Sequence, residues 1–254
     1  MRTPVWLWPN LLSLDAPVVA VVWQDFLTRC YPSTLHPAGR CALGLTVWAI
    51  YWADRLIDVR HPAGDAETSR HRFYREHWPL MASVLAAVVC ADVAVAGLWL
   101  RPAVLENGMW VGRAMAFYLG AFTLFQISRG RWKQCCATLL FTTGVFLVAW
   151  TSIPLAVDVL LVSAVAFGGL VLGNLMLVEN WEQGRVAVWG QVPVWILMAA
   201  LALIWWGDSR WYVAIALSAA GLTALAVLGK RLPGGLRHVL ADAVLLTPLL
   251  LFFL

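Results

Sequence analysis

Apolar stretches of about 20 residues recur from one end of the chain to the other, and each is long enough to cross a bilayer as a helix. Pro, Gly and charged residues divide them into nine expected spans, roughly 11–30, 41–57, 77–100, 103–127, 135–152, 154–178, 187–206, 210–229 and 238–254. The fifth and sixth are joined by a tight turn near "TSIP", residues 151–154. The longest connection, residues 58–76, "DVRHPAGDAETSRHRFYRE", is polar, and its Pro-Ala-Gly break leaves room for a short surface helix. The pattern predicts an all-α fold: a single transmembrane helical domain over 1–254 of about nine helices, with no soluble domain and no repeat.

Composition agrees with that reading. Hydrophobic residues make up 61% of the chain and charged ones only 13%, far from the balance of a soluble domain. A soluble protein has little use for so many helices that are apolar on every side. The opening "MRTPVWLWPN" has neither a long apolar core nor a small-residue cleavage site, so no signal peptide is expected. Its tryptophans suit an interfacial anchor. The cysteines, Cys30, Cys41, Cys90, Cys135 and Cys136, show no CxxC spacing and read as small packing residues.

The distribution of charge says more than its total. With alternate loops on opposite sides, the side of the N-terminus receives thirteen basic residues, among them Arg55, Arg60, Arg129, Arg131 and Lys133. The other side receives four, Arg29, Arg40, Arg101 and Arg210, and Arg113 falls inside the fourth span. The positive-inside rule then predicts an integral protein of a bacterial-type inner membrane, with the N-terminus cytoplasmic and the C-terminus outside. Topology accounts for the basic loops, so no nucleic acid is implied.

Candidate chemistry starts with "YWADRLIDVR". Asp54 and Asp58, at i and i+4, share a helical face, and carboxylates so close to hydrocarbon need compensation. Arg55 and Arg60 could supply it at a solvated helix end. A divalent cation could also supply it, since Mg²⁺ takes one or two carboxylates and completes its shell with water and phosphate oxygens. The sixth span closes with "GNLMLVENWEQGR", which places Asn174, Glu179, Asn180 and Glu182 on the same side of the membrane. Two carboxylate pairs around one cavity would hold Mg²⁺ against a diphosphate and neutralise it as it departs. The fourth span ends "LFQISRGRWK", and its Arg129, Arg131 and Lys133 suit diphosphate oxygens. Each of these clusters also has a plain reading as a polar helix end.

Other polar residues lie within the spans. Gln24, Asp25, Asp92, Arg113 and Asp242 are candidates by default. Asp25 reads as structural, Arg113 is expected to pair with Asp92, and His238 with Asp242 at i, i+4.

This arrangement resembles the UbiA superfamily of intramembrane prenyltransferases, which have nine transmembrane helices and two aspartate-rich motifs after helices two and six. "IYWADRLID" is similar to the family's first motif, Asn-Asp-x-x-Asp-x-x-x-Asp, keeping Asp54 and Asp58 while Ile50 and Tyr51 stand at its opening pair. "LVENWEQG" stands at the second motif with Glu179, Asn180 and Glu182. Phe125 followed by Arg129 resembles the family's aromatic-x-x-x-Lys. The resemblance implies a Mg²⁺-dependent transfer of a prenyl group from a prenyl diphosphate to an aromatic or lipophilic acceptor. Asp54, Asp58, Glu179 and Glu182 would be catalytic metal ligands, with Arg129, Arg131, Lys133 and Asn180 on the diphosphate. Two rivals share the sequence: a terpene cyclase of the same fold, whose cation the 16 tryptophans would shield, and a non-catalytic membrane protein or small transporter.

Overall fold

The computed structural model describes residues 8–31, 33–60, 69–124, 131–153, 157–184, 192–204 and 208–252. Among them every regular element is helical. In chain order these are α1 (Trp8–Leu11), α2 (Asp15–Cys30), α3 (Pro37–Arg60), α4 (Ser69–Glu76), α5 (Trp78–Trp99), α6 (Pro102–Leu124), α7 (Arg131–Ser152), α8 (Val157–Glu182), α9 (Val192–Leu203), α10 (Ser209–Leu228), α11 (Gly234–Val244) and α12 (Pro248–Leu251), with a 3₁₀ turn at Gly229–Arg231. Proline opens α3 and α6, where its missing N–H costs nothing. The α8 helix stops at Gly184, whose φ of 63° is a conformation that glycine adopts without penalty.

Among the described residues four helices are both long and apolar enough to cross a membrane: α5, α7, α8 and α10. Of the other expected spans, α2 has 16 residues and α9 only 12. Long as it is, α3 carries Arg40, Asp54, Arg55, Asp58 and Arg60 along its length. The ninth expected span is broken at residues 245–247 into α11 and α12. The break is not left open. Trp23 Nε1 donates to the Leu245 carbonyl at 2.7 Å, and the Ser218 hydroxyl to the Val244 carbonyl at 3.2 Å. Thr247 Oγ1 donates to the Ala214 carbonyl at 3.0 Å. Neighbouring helices thus satisfy the groups a membrane interior cannot.

The main core is formed by α2, α7, α8 and α10 around an aromatic cluster of Trp23, Phe26, Phe146, Phe167 and Trp211, all 2% exposed or less. These rings pack against one another, Trp23 and Trp211 edge to face with centroids 5.1 Å apart. A second, smaller core of Trp52, Leu56, Tyr74 and Met81 ties α4 and α5 to α3, which orients the helix carrying Asp54. The outer faces of α5 and α6 expose Val93, Leu98, Trp110 and Phe117, apolar surface that acyl chains cover and water would not favour.

Alternating helices bring charges of like assignment to one end. Arg40 and Arg29 meet Asp25 at 2.5 and 3.2 Å, Arg210 reaches the Arg29 carbonyl at 3.3 Å, and Arg101 reaches Ser152 at 3.2 Å. All four residues that the alternation groups together therefore share one end, and Asp25 is structural as expected. Asp92 is not paired with Arg113. Its carboxylate accepts from Thr46 Oγ1 at 2.6 Å across α3 and α5, while the Arg113 guanidinium lies over the Trp110 ring at 4.7 Å. The reason is packing: α5 lies against α3 and α6 against α7, so Asp92 and Arg113 belong to different neighbours.

Candidate functional site

The other end of the bundle gathers the C-terminal ends of α3 and α8 and the N-terminus of α7. Lys133, in the first turn of α7, places Nζ 2.7 Å from Asp54 Oδ1, each side chain 24% exposed. The next residue, Gln134, donates its amide to Glu179 Oε2, and Gln183 Nε2 donates to Glu179 Oε1 at 2.6 Å. Residues 133 and 134, with Cα atoms ~3.8 Å apart, thus hold one carboxylate from each acidic stretch.

Local electrostatics set this end apart. Glu179 and Glu182 occupy the last turn of α8, which contains no basic residue of its own, and Arg131 and Lys133 occupy the first turn of α7, which contains no acidic one. Both placements oppose the helix dipole, each by several tenths of a kcal/mol or about 1 kcal/mol. Lys133 meets its counter-charge across helices, at Asp54, and such local conflict is characteristic of functional sites.

The remaining expected residues are distributed as follows. Asn180 is 8% exposed with its Nδ2 donor unpartnered among the described residues, a costly state that an anion would relieve. Glu182 and Arg131 are exposed at the same end. Asp58 lies on α3, but its side chain is outside the described residues, and Arg129 is outside them altogether. Asn174 is buried and donates to Asp242 Oδ1 at 3.4 Å, so α8 contributes to the surroundings of Asp242. The C-terminus of α8 is capped from α11, where Arg237 donates to the Trp181 carbonyl at 3.0 Å and lies over its ring.

Gln134 and Gln183 were not expected from the sequence. A polar residue after Lys133 was the only available signal, and helical periodicity does not mark it. A groove of about 500 Å³ is lined by His36, Pro37, Cys41, Val95 and Trp99. It lies at the opposite end of α3 from Asp54, ~20 Å away at 1.5 Å per residue. Charged groups converge at Asp54, whereas that groove is mostly apolar.

Among the described residues no three His, Cys, Asp or Glu side chains come together as a metal cage. Mg²⁺ does not require one, because one or two carboxylates with phosphate oxygens and water commonly suffice. Asp54 and Glu179, tied to adjacent residues of α7, are the two carboxylates that such a donor set would draw on. No family model matches the chain, and neither does any characterised protein or solved structure.

Proposed function

We propose that this protein is a Mg²⁺-dependent intramembrane prenyltransferase of the UbiA type, which moves a prenyl group from a prenyl diphosphate to an aromatic or lipophilic acceptor drawn from the lipid phase. The observation that carries this reading is the joint hold of Lys133 and Gln134 on Asp54 and Glu179. It makes two acidic helix ends, distant in sequence, parts of one site.

In this reading Asp54 and Glu179, with Asp58 and Glu182 in support, hold Mg²⁺, which when bound offsets diphosphate charge. Lys133, Arg131 and Arg129 meet the diphosphate oxygens, and Asn180 supplies its unpartnered amide donor. The positive end of the α7 helix dipole favours the same anion. The prenyl tail extends among the apolar helices, where water that would capture an allylic cation is scarce. Ionisation breaks the C1–O bond and leaves pyrophosphate; the acceptor supplies the electron pair for the new bond and afterwards loses a proton. The site end faces the cytoplasm, in keeping with the basic loops on that side.

The test is pyrophosphate release by the purified protein, with Mg²⁺ and a series of prenyl diphosphates, with and without membrane lipid extract. Release that depends on the extract is the expected result. Release without an acceptor would identify a cyclase, and no release under either condition would refute catalysis.

A further inference from the structure

The pairing of Lys133 with Asp54 makes two assigned roles compete. Asp54 is expected to hold Mg²⁺ and Lys133 to hold diphosphate, yet each occupies the other at 2.7 Å. We propose that Lys133 is a counter-ion that exchanges partners: it neutralises Asp54 until Mg²⁺ and diphosphate arrive together, then moves its ammonium to the diphosphate. This rests on the reading of the site given above.

Three features support the exchange. Both side chains are about a quarter exposed, so the pair is open to water and to incoming ions. A lysine ammonium is a compact charge on a flexible stem, able to swing while its backbone stays in α7. Its neighbour Gln134 remains on Glu179, so one residue keeps the helix ends together while the next releases its partner.

Charge bookkeeping gives the consequence. Mg²⁺ alone would have to displace Lys133 from Asp54 and leave its ammonium without the diphosphate to receive it. Diphosphate alone would draw Lys133 away and expose Asp54 to an anion. Each ligand therefore binds less tightly alone than with the other present, a reciprocal coupling. Lys133 acts here as a positioning residue for the metal site and binds diphosphate directly.

Isothermal titration of the full chain in detergent tests this without turnover. Mg²⁺ and inorganic pyrophosphate are titrated singly and together, with allowance for their complex in solution. In the parent protein, pyrophosphate should tighten Mg²⁺ binding at least tenfold. Lys133→Gln should bind Mg²⁺ alone at least fivefold more tightly than the parent, bind pyrophosphate more weakly and lose most of the coupling. Lys133→Arg should keep the coupling, and Asp54→Asn should abolish Mg²⁺ binding. Mg²⁺ affinity unchanged or weakened in Lys133→Gln would overturn the exchange, as would absent coupling or absent Mg²⁺ binding in the parent. If coupling is found but no prenyl diphosphate is turned over, the exchange stands and the enzymatic reading fails.

Discussion

Lys133 Nζ lies 2.7 Å from Asp54 Oδ1, and this contact joins the start of α7 to the acidic end of α3. With Gln134 on Glu179, it turns three helix ends into one charged site within a largely apolar protein. The reading of this site as a prenyl diphosphate clamp makes its charges, and not merely its packing, essential.

Charge and packing separate at Glu179. Glu179→Gln keeps the shape of the side chain and removes its charge, so stability should change by less than about 1 kcal/mol. Pyrophosphate release should fall at least tenfold, and Asp54→Ala should abolish it. Near-normal rates in both variants would remove these carboxylates from the reaction.

Close approach of α10 and α11 depends on Gly221. A Cβ added there would lie 2.5 Å from Val244 Cγ1 and 3.1 Å from Cγ2. Both are branched methyls on one stiff side chain. Gly221→Ala should cost roughly 1–3 kcal/mol, read as a lower thermal midpoint in detergent. Adding Val244→Ala should recover part of that loss.

The broken helix depends on Trp23. Trp23→Phe keeps most of the ring but leaves the Leu245 carbonyl without its 2.7 Å donor, at an expected cost of about 1–3 kcal/mol. Hydrogen exchange should rise first across residues 245–247. Unchanged exchange there would show that other groups satisfy the break.

Asp92 relies on Thr46. Thr46→Val removes the 2.6 Å hydrogen bond and should lower stability by about 1–3 kcal/mol. In an Asp92→Leu background the same substitution should cost little, and Arg113→Leu should leave the Thr46 effect intact. A double-mutant cycle measures all three.

Acid sensitivity at the opposite end centres on Asp208. Partial burial pushes its carboxyl upward, but hydrogen bonds from the Arg210 side chain and backbone outweigh this and hold it below the ordinary carboxylate value. A folded value below the unfolded one adds stability that is present above the unfolded value, about 3.9, and is lost as the pH falls through the folded value. Asp208→Asn retains an α10 cap and removes the charge. Its thermal midpoint should lie below the parent's at neutral pH, and the gap should close below about pH 4.

How far the sequence reaches can be judged residue by residue. The helical class, the polar stretch that ends in α4, and the shared end of Arg29, Arg40, Arg101 and Arg210 were legible from pattern alone. The sixth span was expected to end near residue 178, whereas α8 runs on to Glu182 and stops before Gly184, which takes the left-handed turn. The structure shortened or broke several spans: the sequence around Leu245–Thr247 is as apolar as a continuous helix, and only Trp23, Ser218 and Ala214, from α2 and α10, make the break tolerable.

By itself, then, the sequence determined that this is an all-helical protein with helices fit for a membrane, and on which end its charges gather. These follow from local periodicity and from the high cost of charge in hydrocarbon, which act on each segment separately. The tertiary structure decided the partners: Thr46 and not Arg113 for Asp92, Lys133 for Asp54, and Gln134 for Glu179. Such pairings depend on which helices pack together and at what rotation, and no single segment carries that information.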